Sequence, residues 1–227
     1  MMESVLFHGS DKIVEWPSKK GGRLHNDYGQ GFYCTPSLEQ AREWACTERP
    51  SAFVNHYSFE PSFELKVCDL SGPEFHILNW LAVLLVNRVF QVEIDAPAAI
   101  KDYIIQEYLP DVSGFDIIRG YRADDSYFQY AKFFLYGGMN TDQLSRALRL
   151  GNLGEQIFLQ SEKAFEVLVF LTAENVDRSV YLPKRRAREQ QAREDFLRIE
   201  DGAKVFDGIF AIDLYRNQIK NDDARLR

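Results

Sequence analysis

The chain is short of several residues that would narrow its chemistry. It has three cysteines, Cys34, Cys46 and Cys68, an odd and sparse set with neither close pairing nor metal-ligand spacing. That excludes a disulfide scaffold and fits a reducing compartment, with each thiol read as a small buried apolar group. It has no basic excess: the net charge is −7, which argues against a dedicated nucleic-acid binder while leaving room for a local basic patch. The start, "MMESVLFHGS", lacks the basic and apolar regions of a secretory signal. The most apolar run, Ile77–Val86, is too short to span a bilayer and is followed by Asn87 and Arg88. It is read as a buried helix, and the expectation is a soluble, cytoplasmic protein with no membrane partner. No repeat and no low-complexity tract is visible. No histidine spacing suggests a metal, so none is expected.

What is present is an alternation of short strands and helices. "SVLFHGS" reads as a strand ending in a turn. Ser37–Cys46 reads as a helix capped by Ser37, with Leu38, Ala41, Trp44 and Ala45 on one face. "AFVNHYSFE" and "FELKVCDL" alternate with period two and are expected to pair as a hairpin across Pro61 and Ser62. Helices are expected over Glu74–Phe90 and Ala98–Tyr108, the second opened by Pro97. "FDIIRG" is a short strand. "DDSYFQYAKFFLYGG" is a helix with an acidic start and a glycine stop, followed by a shorter one capped by Thr141. "EQIFLQ" and "EVLVFLTA" are strands flanking one helical turn. From about Pro183 a long charged helix is expected, then a second piece, with "NDDARLR" frayed. The class is α+β, with a charged helical tail.

Three stretches carry candidate chemistry. In "FHGS", His8 either points out of a sheet edge, with Gly9 leaving its N–H and C=O open to a ligand, or only bonds nearby backbone. In "NDYGQGFY", the glycines make a bend where backbone approaches something closely, either a neighbouring strand or a ligand. The bend is neither a dinucleotide fingerprint nor a P-loop, since G-x-G-x-x-G and Gly-Lys-Ser/Thr are both missing. Tyr33 can present a flat ring there. In "LGEQIFLQSEKAF", Glu155 and Gln156 open a strand, so only one of them can face a given pocket.

Together these stretches resemble the ADP-ribosyltransferase superfamily, in the branch marked by His, Tyr and an acidic residue. "FHGS" looks like its first motif, "YGQGFYCT" is similar to the "GxGxYF" motif of the poly-ADP-ribose polymerases, and "EQIFL" looks like the strand written "EYIVY" there. More closely, "NDYGQGFY", "GYRADDSYF" and "GEQIFLQSEKAF" look like a bacterial domain of unknown function assigned to that superfamily. The resemblance implies a two-sheet split β core with helical insertions over residues 1–173, followed by a charged, mainly helical extension over 174–227.

It also implies NAD as co-substrate and transfer of ADP-ribose to a protein or nucleic-acid acceptor, with release of nicotinamide. His8 would bond ribose hydroxyls, Gly9 the nicotinamide amide, Ser10 a ribose, and Tyr33 the nicotinamide ring; Gly31 belongs to the same glycine-rich motif. Breaking the bond to nicotinamide leaves an oxocarbenium-like ribose, as in glycoside hydrolysis, so a carboxylate nearby is the usual device. Here the match wavers. Alignment on "EYIVY" puts Glu155 in the catalytic place, and alignment on the bacterial family's glutamine puts Gln156 there. An amide bonds a 2′-OH but brings no charge.

Arg122 and Arg23 are phosphate candidates. Arg122 can instead meet an acceptor or pair with Asp124 or Asp125, and those two aspartates can instead cap the helix that follows. "PKRRAR" can touch nucleic-acid phosphates, or form a solvated helix with internal ion pairs. Small bacterial proteins of this kind are often toxins neutralised by a partner protein. The rival is a non-catalytic NAD-binding or protein-interaction module of the same fold.

Overall fold

Two small sheets meet edge to edge, and helices cover them. The computed structural model describes residues 4–60, 64–89, 92, 94–123, 125–149, 154–201 and 208–226. One sheet has three antiparallel strands: β1 (Ser4–Ser10), β3 (Phe53–Phe59) and β7 (Leu168–Asn175), in the order β1-β3-β7. The other has four: β2 (Phe32–Cys34), β6 (Glu155–Leu159), β5 (Ile117–Tyr121) and β4 (Val67–Asp69), in the order β2-β6-β5-β4. An isolated antiparallel bridge, Phe7 to Thr35, joins them, with both Phe7 N–H and C=O bonded to Thr35 at 2.9 Å. Leu6, Phe32, Tyr57 and Leu159 fill the space between the sheets.

The largest core lies on the four-stranded sheet. It takes α2 (Ile77–Asn87), α3 (Asp95–Tyr108), α4 (Asp125–Leu135), α5 (Thr141–Ala147) and α8 (Ala211–Arg216). The apolar run of α2 is buried as its composition demands, from Leu78 to Leu85. On the three-stranded sheet lies α1 (Leu38–Ala45), capped as expected by Ser37, whose hydroxyl accepts from Gln40 N–H. Its small residues Ala41 and Ala45 let it approach Gly9 of β1 so closely that a Cβ there would meet the backbone of both. A single turn, α6 (Glu162–Glu166), precedes β7.

Several expectations are corrected. β4 does not form a hairpin with β3; it pairs parallel with β5 in the other sheet, fastened where Asp116 and Lys66 exchange backbone and side-chain bonds of 2.8–2.9 Å. The expected turn at Pro61 and Ser62, the end of the α2 region at Phe90 and the Asp124 cap lie outside the described residues. β1 runs through His8 and Gly9 to Ser10 rather than turning there. The cap of α5 is Asn140, whose carboxamide accepts from Gln143 N–H, one residue earlier than Thr141. The charged helix α7 (Arg178–Asp201) starts five residues before Pro183, which sits inside it. The initiating contacts come from Asp177, whose carboxylate and carbonyl accept the first free N–H groups.

The last described segment is tied down rather than frayed as expected for "NDDARLR". Tyr103 and Tyr108 hydroxyls donate to the Ile219 carbonyl at 2.8 and 2.5 Å, and Asn79 donates to the Asn221 carboxamide at 2.7 Å. Among the described residues no helix is long and apolar enough to cross a membrane.

Candidate functional site

The seam between the sheets opens into a cavity of about 580 Å³. β1 contributes His8, Gly9 and Ser10, the glycine-rich bend and β2 contribute Gly31 and Tyr33, and β6 contributes Gln156. Arg23 and Arg122 line it too. Three stretches widely separated in sequence thus share one cavity. Glu155 does not line it: alternation along β6 turns it to the other face, where it is ion-paired with Arg119.

His8 ties the sheets together. Its Nδ1 lies 2.7 Å from the Tyr33 carbonyl, and its ring packs on Phe32 with centroids 4.3 Å apart. A carbonyl can only accept, so Nδ1 carries the proton and Nε2 keeps a lone pair. Removal from water pushes the imidazole pKa down to about 4, against an upward pull from the Tyr33 bond. His8 is therefore neutral at pH 7.

The glycines of the bend serve the fold. Gly29 has φ +93°, a left-handed conformation. A Cβ on Gly31 would strike the Phe158 ring and the Leu159 carbonyl, so the close approach there is to strand β6. The Tyr33 hydroxyl closes the bend by donating to the Gly29 carbonyl at 2.7 Å and accepting from Tyr28 N–H at 3.1 Å. Its ring sits 4.8 Å from Phe158, centroid to centroid. Burial raises its pKa far above the ordinary phenol value, so it titrates nothing near neutrality.

Gly9 owes its orientation to strand period. Phe7 turns both backbone polar groups to the outer edge, toward Thr35, so Gly9, two residues on, turns its own to the same edge. The Ser10 hydroxyl is already committed, donating to the Lys12 carbonyl at 2.5 Å and accepting from Asn55 at 3.3 Å. Asn55, fully buried, also accepts from Val14 N–H at 2.8 Å and so shapes the loop leaving β1.

Gln156 is 3 % exposed and has a neighbour that sequence reasoning left out of the site, Asp27 at 4 %. Its Nε2 donates to Asp27 Oδ2 at 2.9 Å and to the Tyr121 carbonyl at 3.1 Å. Both partners are acceptors, so the amide orientation is fixed and Oε1 is the atom left to offer. Asp27 Oδ2 also accepts from Ala123 N–H at 3.0 Å, and Oδ1 lies 3.0 Å from Arg88 Nε, at the end of α2. Burial raises the Asp27 pKa, while Arg88 and the two donors pull it down. The only sequence signal for Asp27 was its place beside the bend. Arg88 had none, because nothing local says where the end of an apolar helix will land.

The cavity is electropositive in an acidic molecule. Six basic side chains line it, Lys12, Arg23, Arg49, Arg88, Arg122 and Arg185, against two acidic ones, Asp11 and Asp27. Arg122 stacks over Trp44 at 4.5 Å. Arg185 comes from α7, which docks on α1: Arg185 donates to the Cys46 carbonyl at 2.8 Å, and Arg188 pairs with Glu43. So "PKRRAR" is spent partly on α1 as well as on an internal pair with Glu189. Cys34, Cys46 and Cys68 are all buried free thiols. No group of three or more potential metal ligands occurs among the described residues. The arrangement offers lone-pair acceptors for hydroxyls, an open strand edge for an amide, and cations for an anion.

No curated protein and no solved structure matches the chain. A family model described as "Protein of unknown function (DUF3990)" matches residues 4–170, from β1 into β7, so every described residue of the cavity except Arg185 lies inside the match. The chain belongs to the DUF3990 family.

Proposed function

We propose that this α+β chain has an ADP-ribosyltransferase-like fold and transfers ADP-ribose from NAD to a macromolecular acceptor. The observation that carries the reading is that His8, Tyr33 and Gln156, singled out on three separate motifs, line one cavity at the seam of two sheets. The rest of the cavity is in keeping with it. The outward edge at Gly9 suits the paired bonds of a carboxamide. Neutral His8 suits a ribose hydroxyl, which would donate to Nε2. The cationic lining suits a diphosphate.

Gln156 then holds the place of a catalytic carboxylate. With Nε2 pinned, Oε1 accepts from the ribose 2′-OH as a carboxylate would and so orients the sugar. The negative charge that an amide lacks sits directly behind it on Asp27, shared with Arg88. Preorganised charge of this kind acts on the positive charge that develops as the bond to nicotinamide lengthens. Glu155, on the opposite face, takes no part. In this reading the chain is also a candidate toxin, held in check by a neutralising partner protein.

A second reading has a specific observation in its favour. Asp27 is largely neutralised by Arg88, and the cavity floor carries an amide, so the chain binds NAD without turning it over. Incubation with labelled NAD and a cell lysate separates the two. Label on an acceptor together with free nicotinamide supports transfer. Nicotinamide with no labelled acceptor indicates hydrolysis. Binding with neither product leaves the non-catalytic module, and absence of NAD binding removes both.

A further inference from the structure

The loop between β1 and β2 forms the outer lip of the cavity and carries an unusual combination of groups. Trp16 lines the cavity and is 88 % exposed, the most exposed of the large apolar side chains described. Leu24 on the same loop is 65 % exposed and Ile13 49 %. Beside them stand four exposed cations, Lys12, Lys19, Lys20 and Arg23. None of the four forms an ion pair among the described residues, whereas Arg49 nearby pairs with Asp11 and Arg186 with Glu48. Ser18 and Gly21, which flank the lysine pair, line the cavity themselves.

The exposed groups of the lip cost the fold something: a bare indole in water loses the benefit of burial, and adjacent like charges repel. A flat ring with unpaired cations around it suits one class of partner, a single-stranded nucleic acid, whose bases stack on aromatic rings while basic groups track its phosphates. An anionic bilayer also attracts tryptophan and lysine, but a flat surface gains nothing from groups gathered around a concave opening. A flexible strand can enter it. The overall charge of −7 is no obstacle, because the field that matters is that of the cavity and its lip.

We propose that this lip binds single-stranded nucleic acid, stacking a base on Trp16, and that the strand is the acceptor. The second part rests on the transferase reading; the first does not. In the transfer, a base nitrogen or a hydroxyl of the strand bonds to the ribose carbon. The carbon–nitrogen bond to nicotinamide breaks, its electron pair leaving with nicotinamide, and the displaced proton passes to water.

The test is fluorescence anisotropy with the full chain and three probes: a short labelled single strand, the corresponding duplex, and phosphatidylserine vesicles. The single strand is expected to bind best. Trp16→Ala, at a site too exposed to disturb folding, is expected to weaken it about five- to a hundredfold, the range for a base–aromatic stack. Lys19→Gln with Lys20→Gln is expected to lower the salt slope by about 1.4, from two lost phosphate contacts. Vesicle binding alone, duplex binding that ignores Trp16, or no binding overturns the proposal. NAD binding is titrated separately on the same protein. Strand binding without NAD binding removes the acceptor role and leaves the surface, whereas NAD binding without strand binding removes the surface and the acceptor role together and leaves only the transferase reading.

Discussion

At the scale of the residue, the contact between Asp27 and Gln156 shows why an amide rather than a carboxylate suits this place on β6. Gln156 Nε2 sits 2.9 Å from Asp27 Oδ2, so a glutamate there would set two carboxylates in contact. Gln156→Glu alone is therefore expected to raise the pKa of the pair. Its stabilising form is then the protonated one, so the variant loses about 2 kcal/mol relative to the parent as pH rises through that value toward neutrality. Gln156→Glu combined with Asp27→Asn restores one carboxylate and one amide and is expected to recover most of the loss. Urea unfolding at acid and neutral pH reads both, and equal stability of the single and double variants would refute the coupling.

His8 gives a prediction of opposite sign. Its folded-state pKa, about 4, lies below the ordinary imidazole value of 6.5, so the unfolded chain binds more protons between the two. Stability on this account is full above 6.5, falls as pH drops toward 4 and falls no further below it. His8→Gln, which keeps a donor for the Tyr33 carbonyl, is expected to flatten that part of the profile of urea midpoint against pH. Both His8 and Tyr33 could be named from local motifs. Asp27 could not be assigned a task, because its partners come from α2, from the residues after β5 and from β6.

At the scale of the element, the site depends on how tightly α1 lies on β1. Gly9→Ala would push a methyl into the Ala41 carbonyl and the Ala45 amide, atoms that cannot rotate away. A loss of about 1–3 kcal/mol, the usual cost of overpacking, is expected in thermal or urea unfolding. Arg42 joins three elements: Glu174 of β7 at 2.7 Å, Glu39 of α1 at 2.6 Å and the Tyr181 hydroxyl of α7 at 3.2 Å. Arg42→Ala is expected to cost about 1.5–3 kcal/mol, as for bonds to charged groups, and to speed proteolysis within α7; unchanged cleavage would mean that α7 is held without it. Elements with a strong local signal, such as the buried run of α2 and the Ser37 cap, were legible in the sequence. Partners were not: the alternation around Val67 marks a strand but says nothing of whether β3 or β5 will lie beside it.

At the scale of the whole molecule, charge is divided unevenly. Cations outnumber anions around the cavity although the chain carries −7 overall, so the NAD binding of the proposed function is expected to weaken steadily with salt. Calorimetric titration of NAD across a salt series checks this, with neutral nicotinamide as the control whose affinity should stay level. The sequence by itself determined the α+β class, most of the elements and the stretches that deserve attention, because hydrophobic period, caps and glycine bends act over a few residues. Only the tertiary structure decided that those stretches meet at one seam, that Gln156 and not Glu155 faces it, and that Asp27 and Arg88 stand behind. Those outcomes depend on which strands pair and where a helix ends in space, and both are set by burial summed over the whole chain.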